Sequence, residues 1–194
     1  MTRVQTFSNP VDIGKASPAE ALEFFDSLAT VEVSDLIGSW QGKSFPTGHP
    51  LDGALEVYHW YGKRFESAEQ VHPLVFKTLN GGTANVNPLW ALPIVHWLNA
   101  WPIPKAKAGG RIFQTCIGLF STRRSCARLR LTTYRGKATA TMIYDTLPIN
   151  DIFRKINDDT MLGLMDLKGA NQPFFFILHR EQPKGIENKV VEKG

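Results

Sequence analysis

The chain has 194 residues, 43% of them hydrophobic and 21% charged, with a formal net charge of +4. That balance excludes a disordered or collagen-like polypeptide and fits a single domain over 1–194 whose core is large enough to enclose a cavity. No apolar run reaches the roughly 18 residues of a membrane span, and the first ten residues lack the apolar stretch of a secretion signal, so a cytoplasmic address is expected. The charge is unevenly placed. No acidic residue lies between Glu69 and Asp145, while Lys77, Lys105, Lys107, Arg111, Arg123, Arg124, Arg128, Arg130, Arg135 and Lys137 all do. Such a block attracts an anionic small molecule, a nucleic acid or an anionic membrane surface; alternatively it is a solvated face whose acidic partners come from the flanking segments.

Ser17-Pro18-Ala19-Glu20 starts a helix, with serine as cap, proline in the first turn and glutamate three residues on. Leu22, Phe25 and Leu28 give it one apolar face and an end near Leu28. Gly38-Ser39-Trp40-Gln41-Gly42 reads as a strand entering a barrel, the glycines allowing a tight bend beside a large plug. The loop Pro46-Thr47-Gly48-His49-Pro50 leads to a predicted helix over 51–61, closed by Gly62. The second half reads as short β-rich runs at 74–79, 111–120, 126–134, 137–145, 160–167 and 174–180, with a further strand near Ala84. Arg135-Gly136 signals a tight hairpin, and Arg123-Arg124 another tight connection. A short amphipathic helix is expected over 149–156, and a polar turn over 168–173. This spacing indicates a barrel or a sandwich in a mainly β, α+β chain.

The run 88–101 is the most apolar in the sequence and carries Trp90, Trp97 and Trp101, which would serve as a lid or a buried cap. The five histidines do not fall at metal-ligand spacing, so no metal is expected. No nucleophile elbow, dinucleotide-binding glycines or phosphate loop occurs. The cations lack the aromatic interleaving of a stacking platform, and no nucleic acid is expected as partner. Cys116 and Cys126 are too few for a disulfide framework and read as reduced thiols.

Gly38-Ser39-Trp40-Gln41-Gly42, Phe45-Pro46-Thr47-Gly48-His49-Pro50-Leu51-Asp52-Gly53 and Trp60-Tyr61-Gly62-Lys63-Arg64-Phe65 resemble the GXWXG protein family over about 20–80. Ala127-Arg128-Leu129-Arg130, Tyr144-Asp145, Asn150-Asp151-Ile152-Phe153-Arg154, Met165-Asp166-Leu167-Lys168-Gly169 and Pro173-Phe174-Phe175-Phe176 resemble its companion C-terminal domain of unknown function, over about 110–181. The resemblance implies an antiparallel lipocalin-like or fatty-acid-binding-like β-barrel with N-terminal and capping helices, and an apolar ligand. The Gly-x-Trp start is also similar to lipocalins, whose tryptophan closes the barrel base near an arginine; Arg180 or Arg130 would take that part. A likeness to haem-binding barrels stops at the missing proximal histidine, and no cofactor is expected.

Two functions fit these readings. In the first, the chain is a carrier for an amphipathic, anionic molecule such as a lipid, fatty acid or isoprenoid. Trp40, Phe45, Trp60, Phe113, Tyr144 and Phe175 line or close the cavity, His49 stands at its mouth, and Arg111, Arg128 or Arg130 meets the acidic head. In the second, the same cavity makes it a cofactor-free isomerase or cyclase with His49, Tyr144 and Asp145 as polarising groups. Peripheral contact with an anionic membrane is compatible with either.

Overall fold

The computed structural model describes residues 15–91 and 107–182. The chain enters through α1 (Pro18–Ser27), where the Glu20 N–H donates to Ser17 Oγ and the Ser17 N–H donates to Glu20 Oε2 at 2.8 Å, the reciprocal cap that its sequence calls for. A single turn, α2 (Val33–Leu36), precedes β1 (Gly38–Ser44). Another, α3 (Ala54–Val57), precedes β2 (Trp60–Phe65), β3 (Val71–Lys77) and β4 (Thr83–Asn85). After a 3-10 turn at Pro88–Ala91 come α4 (Lys107–Phe120) and the meander β5 (Ala127–Tyr134), β6 (Lys137–Tyr144), β7 (Ile149–Asn157), β8 (Thr160–Leu167) and β9 (Phe174–Arg180).

The strands form one antiparallel sheet in the order β2-β1-β9-β8-β7-β6-β5-β3-β4, and a further β2–β3 pairing closes it into a ring with β4 attached outside. This is a β-barrel-like α+β fold. The seam between β3 and β5 is the thinnest: Val71 faces Ala127, and Ser125 Oγ accepts from the Val71 N–H at 3.0 Å. Past that point β3 pairs with β4 instead, and α4 covers the opening with Phe113, Ile117 and Phe120 packed on the interior cluster.

Apolar side chains are buried on both sides of the wall. Inside lie Trp40, Phe65, Leu129, Met142, Phe153 and Met161; outside, Ala21 and Phe25 of α1 press on Ile152, Leu162, Leu164, Phe175 and Ile177. Strands β7–β9 are therefore covered on both faces, which is why Phe174–Leu178 is an unbroken apolar run.

Several expectations hold. Arg135 (φ 48°) and Gly136 (φ 78°) make the two-residue hairpin, whose two left-handed positions match the twist of β5 and β6. The strand near Ala84 is β4. Others are corrected. Residues 111–120 are helical, because Phe113, Ile117 and Phe120 recur at the 3.6 period and override the β-branched Thr115 between them. Residues 149–156 form a strand, with Ile149, Asp151 and Phe153 facing inward and Ile152 and Arg154 outward. The helix expected over 51–61 shrinks to α3, and Gly62 lies inside β2, where a Cβ would collide with the Trp40 carbonyl oxygen. The strand expected over 74–79 runs from Val71 to Lys77. Of the 88–101 segment, Trp97 and Trp101 lie outside the described residues.

Candidate functional site: a buried charge centre beneath the barrel mouth

The Gly38–Gly42 stretch closes the base of the barrel and leaves room for the Trp60 ring. At the base, the Trp40 Nε1–H donates to the Leu36 carbonyl at 2.7 Å, and the Arg180 guanidinium lies 4.2 Å from the Trp40 ring centroid. Arg180 is fixed there by donating to the carbonyls of Ile37 (3.0 Å) and Asp35 (2.6 Å). Of the two arginines proposed for this part, Arg180 takes it, since β1 and β9 pair Trp40 with Arg180. Two residues past the plug, a Cβ on Gly42 would run into the Trp60 ring. The second glycine of the motif is thus the gap that admits a second tryptophan.

Trp60 marks the other end. Beside it Lys63, paired in register with Trp40, turns its side chain into the barrel. Its Nζ lies 2.7 Å from Asp151 Oδ2 and donates at 3.3 Å to the Pro73 carbonyl, with the two side chains only 3% and 2% exposed. The remaining side of the ammonium meets rings: Phe176 at 4.9 Å, Trp60 at 5.6 Å and Tyr144 at 5.8 Å. Burial pushes the Asp151 carboxyl up, with Lys63 pulling the other way. Burial, with Asp151 nearby, raises Tyr144 well above the usual phenol range, so it stays neutral. Two polar atoms here have no hydrogen-bond partner, Asp151 Oδ1 and Trp60 Nε1.

The mouth is shaped by the His49 loop. Asp52 Oδ2 accepts from the N–H groups of Thr47, Gly48 and His49 at 2.8–3.0 Å, and His49 Nδ1 accepts from the Leu51 N–H at 3.1 Å. The loop and the β8–β9 turn at Ala170, Asn171 and Gln172 border a cavity of about 250 Å³, with Leu167 on its wall. From there His49 lies 5.3 Å from Phe174, and Phe174 stacks 6.3 Å from Phe176, the ring next to Lys63. An aromatic file thus joins the mouth to the charge centre.

Of the residues singled out in the sequence, Trp40, Trp60 and Tyr144 face the interior, and His49 stands at the mouth. Phe113 stands on α4, between Tyr58, Phe76 and Phe120. Phe45 and Phe175 belong to the outer cluster beneath α1, and Trp90 is exposed beside Phe120. The arginines are not brought inside: Arg111 is exposed on α4, while Arg128 and Arg130 alternate with inward Leu129 and pair on the outer wall with Asp145 (3.3 Å) and Glu69 (2.7 Å). His49, Tyr144 and Asp145 are accordingly not assembled around one cavity. Lys63 and Asp151 were missed, although Ile149-Asp151-Phe153 is an alternating strand face. Lys63 lies within Trp60–Phe65, where a helix expected up to Tyr61 hides the strand that turns it inward.

Among the described residues no group of three or more His, Cys, Asp and Glu is placed to hold a metal ion, and no helix is long and apolar enough to cross a membrane. Cys116 and Cys126 are unpaired thiols, Cys126 raised by burial.

No curated protein matches the chain. Among solved structures it is similar to a protein from Thermomonospora curvata, with 32% identity over 89% of this chain and 93% of that one and a TM-score of 0.66. The model of the GXWXG protein matches residues 23–81, and that of the domain of unknown function DUF4334 matches 125–180. The first match holds Trp40, Gly42, His49, Trp60 and Lys63 and the second holds Tyr144, Asp151 and Phe176, so the charge centre is assembled from both halves of the chain, which belongs to the GXWXG protein family.

Proposed function

We propose that the protein binds a small, mostly apolar molecule at the mouth end of the barrel, with one polar group turned toward Lys63 and Asp151. The observation that carries this reading is the pair of buried, unpartnered atoms, Asp151 Oδ1 and Trp60 Nε1, beside an ion pair boxed in by rings. An unpaired buried polar atom costs about 1–3 kcal/mol, and a buried ion pair is seldom better for stability than apolar packing of the same volume. A ligand hydroxyl both donates and accepts, so it can satisfy either kind of orphaned atom, the acceptor Asp151 Oδ1 or the donor Trp60 Nε1. Lys63 is already neutralised by Asp151, and a further buried carboxylate would be uncompensated. The reading therefore shifts from an acidic head group to a neutral one, such as an alcohol or a phenol. The apolar body would follow Phe176 and Phe174 toward the cavity beside His49, which at about 250 Å³ favours a compact ligand.

Native mass spectrometry of the freshly purified protein, followed by denaturing extraction, tests this directly. The expected result is a stoichiometric adduct carrying a hydroxyl or phenol, displaced by medium-chain alcohols more readily than by the matching carboxylates. A protein that arrives empty and takes up neither class overturns the reading.

One observation favours an isomerase or cyclase as a second reading: the Asp151 carboxyl, raised by burial, stands in an apolar box with neutral Tyr144. Asp151 would then relay a proton within a bound substrate, in place of Asp145. Asp151→Asn that retains the ligand and abolishes its conversion supports this reading; an unconverted ligand in the unmodified protein removes it.

A further inference from the structure

We propose that the outer face of α4, with the adjoining Leu89–Trp90 turn, docks on an anionic lipid bilayer and sets the opening that α4 covers between β3 and β5 against it. The inner side of α4 is accounted for by the barrel: Phe113, Ile117 and Phe120 pack inward, and Gln114 Nε2 donates to the Tyr58 carbonyl at 3.1 Å. A helix covered on one side should be polar on the other. Here Ile112 and Leu119 are 67% and 78% exposed. Seven residues apart, they share one line along the helix and stand about 10 Å from each other. Trp90, 58% exposed, rests its ring against Phe120 at 5.0 Å, and the Asn87 N–H donates to the Phe120 carbonyl at 2.9 Å. Leu89 and Trp90 are thereby held beside the Leu119 end of the apolar line.

The cations divide along the same boundary. On the barrel wall, Arg128, Arg130 and Arg135 are paired with Asp145, Glu69 and Asp26. Arg111, next to Ile112, and Arg123 and Arg124, which follow α4 after Ser121 and Thr122, are exposed and have no acidic partner among the described residues. Exposed apolar side chains with unneutralised arginines on one face are what an anionic lipid interface accepts: the apolar groups enter the headgroup boundary and the guanidinium groups meet phosphates. A second copy fits this face less well, since self-association would bring the same three arginines together. A barrel docked in this way would exchange an apolar ligand with the bilayer through the opening that α4 covers.

Sedimentation of the full-length protein with phosphatidylcholine vesicles, with and without phosphatidylglycerol, decides the matter. Uptake should favour the anionic vesicles by about tenfold or more and fall as salt rises, because the unpaired arginines contribute through a screened field. Arg123→Ala and Arg124→Ala should each weaken uptake about fivefold. Ile112→Glu with Leu119→Glu should abolish it, and Arg128→Ala on the wall should leave it unchanged. All are exposed positions, so circular dichroism should match the parent protein. Equal uptake by neutral and anionic vesicles, no uptake by either, or a stable dimer that ignores vesicles overturns the proposal, as does uptake that survives the double glutamate variant.

Discussion

Each end of the barrel sets a tryptophan beside a cation, and the two pairs are finished to different degrees. At the base, Trp40 donates its indole N–H to Leu36, and Arg180 spends its donors on the carbonyls of Asp35 and Ile37 while its plane covers the ring at 4.2 Å. Every polar atom in that arrangement has somewhere to go. Toward the mouth, Trp60 leaves its indole N–H unpartnered, and Lys63, 5.6 Å from the ring, is neutralised by a carboxylate that itself has one oxygen unpartnered. Guanidinium suits the first setting because its fork satisfies several fixed carbonyls at once; an ammonium leaves a rounder, less directional charge among rings. The base has the properties of a closure, whereas the mouth end has unused donors and acceptors of the kind a ligand fills.

The largest effect that separates the two ends comes from breaking the ion pair. Asp151→Ala strands a buried ammonium and should cost about 3–5 kcal/mol in urea unfolding. Lys63→Met combined with Asp151→Leu removes both charges and should recover most of that loss, while abolishing capture of the ligand. A double variant as unstable as the single one would make the pair part of the closure, and the contrast between the ends would fail.

Next are the tryptophans themselves. Trp40→Phe removes a satisfied hydrogen bond and leaves a void at a fully packed position, a loss of about 1–3 kcal/mol. Trp60→Phe deletes a donor that has no partner, so its stability cost should be smaller, under about 1.5 kcal/mol, whereas its effect on ligand retention should exceed that of Trp40→Phe. Equal unfolding midpoints and equal ligand retention for the two variants would erase the distinction.

The ends should also respond to acid in opposite senses. Near the base, a hydrogen bond from Lys155 lowers the Asp35 carboxyl, so its contribution is present above the unfolded carboxylate range and is lost as pH falls through the folded value. Asp151 is raised by burial: it favours the folded state most when protonated, and that advantage fades as pH rises through its folded value. Asp35→Asn should therefore flatten the loss of stability on acidification, and Asp151→Asn should steepen it. Urea midpoints measured from neutral to acidic pH give both slopes, and slopes that change in the same sense would contradict the assignment.

Those carboxylates also mark where the sequence could be read and where it could not. The α1 cap at Ser17 and Glu20, the hairpin at Arg135-Gly136 and the Trp40 strand were legible because their chemistry is local. Arg180 and Arg130 stayed equal candidates at the base until the β1–β9 register set Arg180 opposite Trp40. In strand β7, Asp151 and Arg154 are spaced like the polar side of a helix, yet both are buried, on opposite faces of the wall. Lys63 and Asp151 meet across 88 positions of sequence, and nothing local to either announces the other. The stretch expected as a strand over 111–120 is helical in α4 for a similar reason: its apolar residues fit the 3.6 period only once the barrel supplies something for them to cover.

The smallest effects should come from the wall arginines, which sharpen the comparison by standing at neither end. Arg128 and Arg130 each hold an exposed carboxylate, and pairs of this kind contribute about 0–1 kcal/mol because water screens them and two long side chains must be held still. Arg128→Gln and Arg130→Gln should leave the unfolding midpoint nearly unchanged. They should also leave the capture of alcohols and of carboxylates untouched, since both side chains point away from the barrel interior. If Arg130→Gln instead weakened carboxylate binding more than alcohol binding, the polar end of the ligand would lie outside the barrel, against the wall, and the unpartnered atoms beside Lys63 would need another occupant.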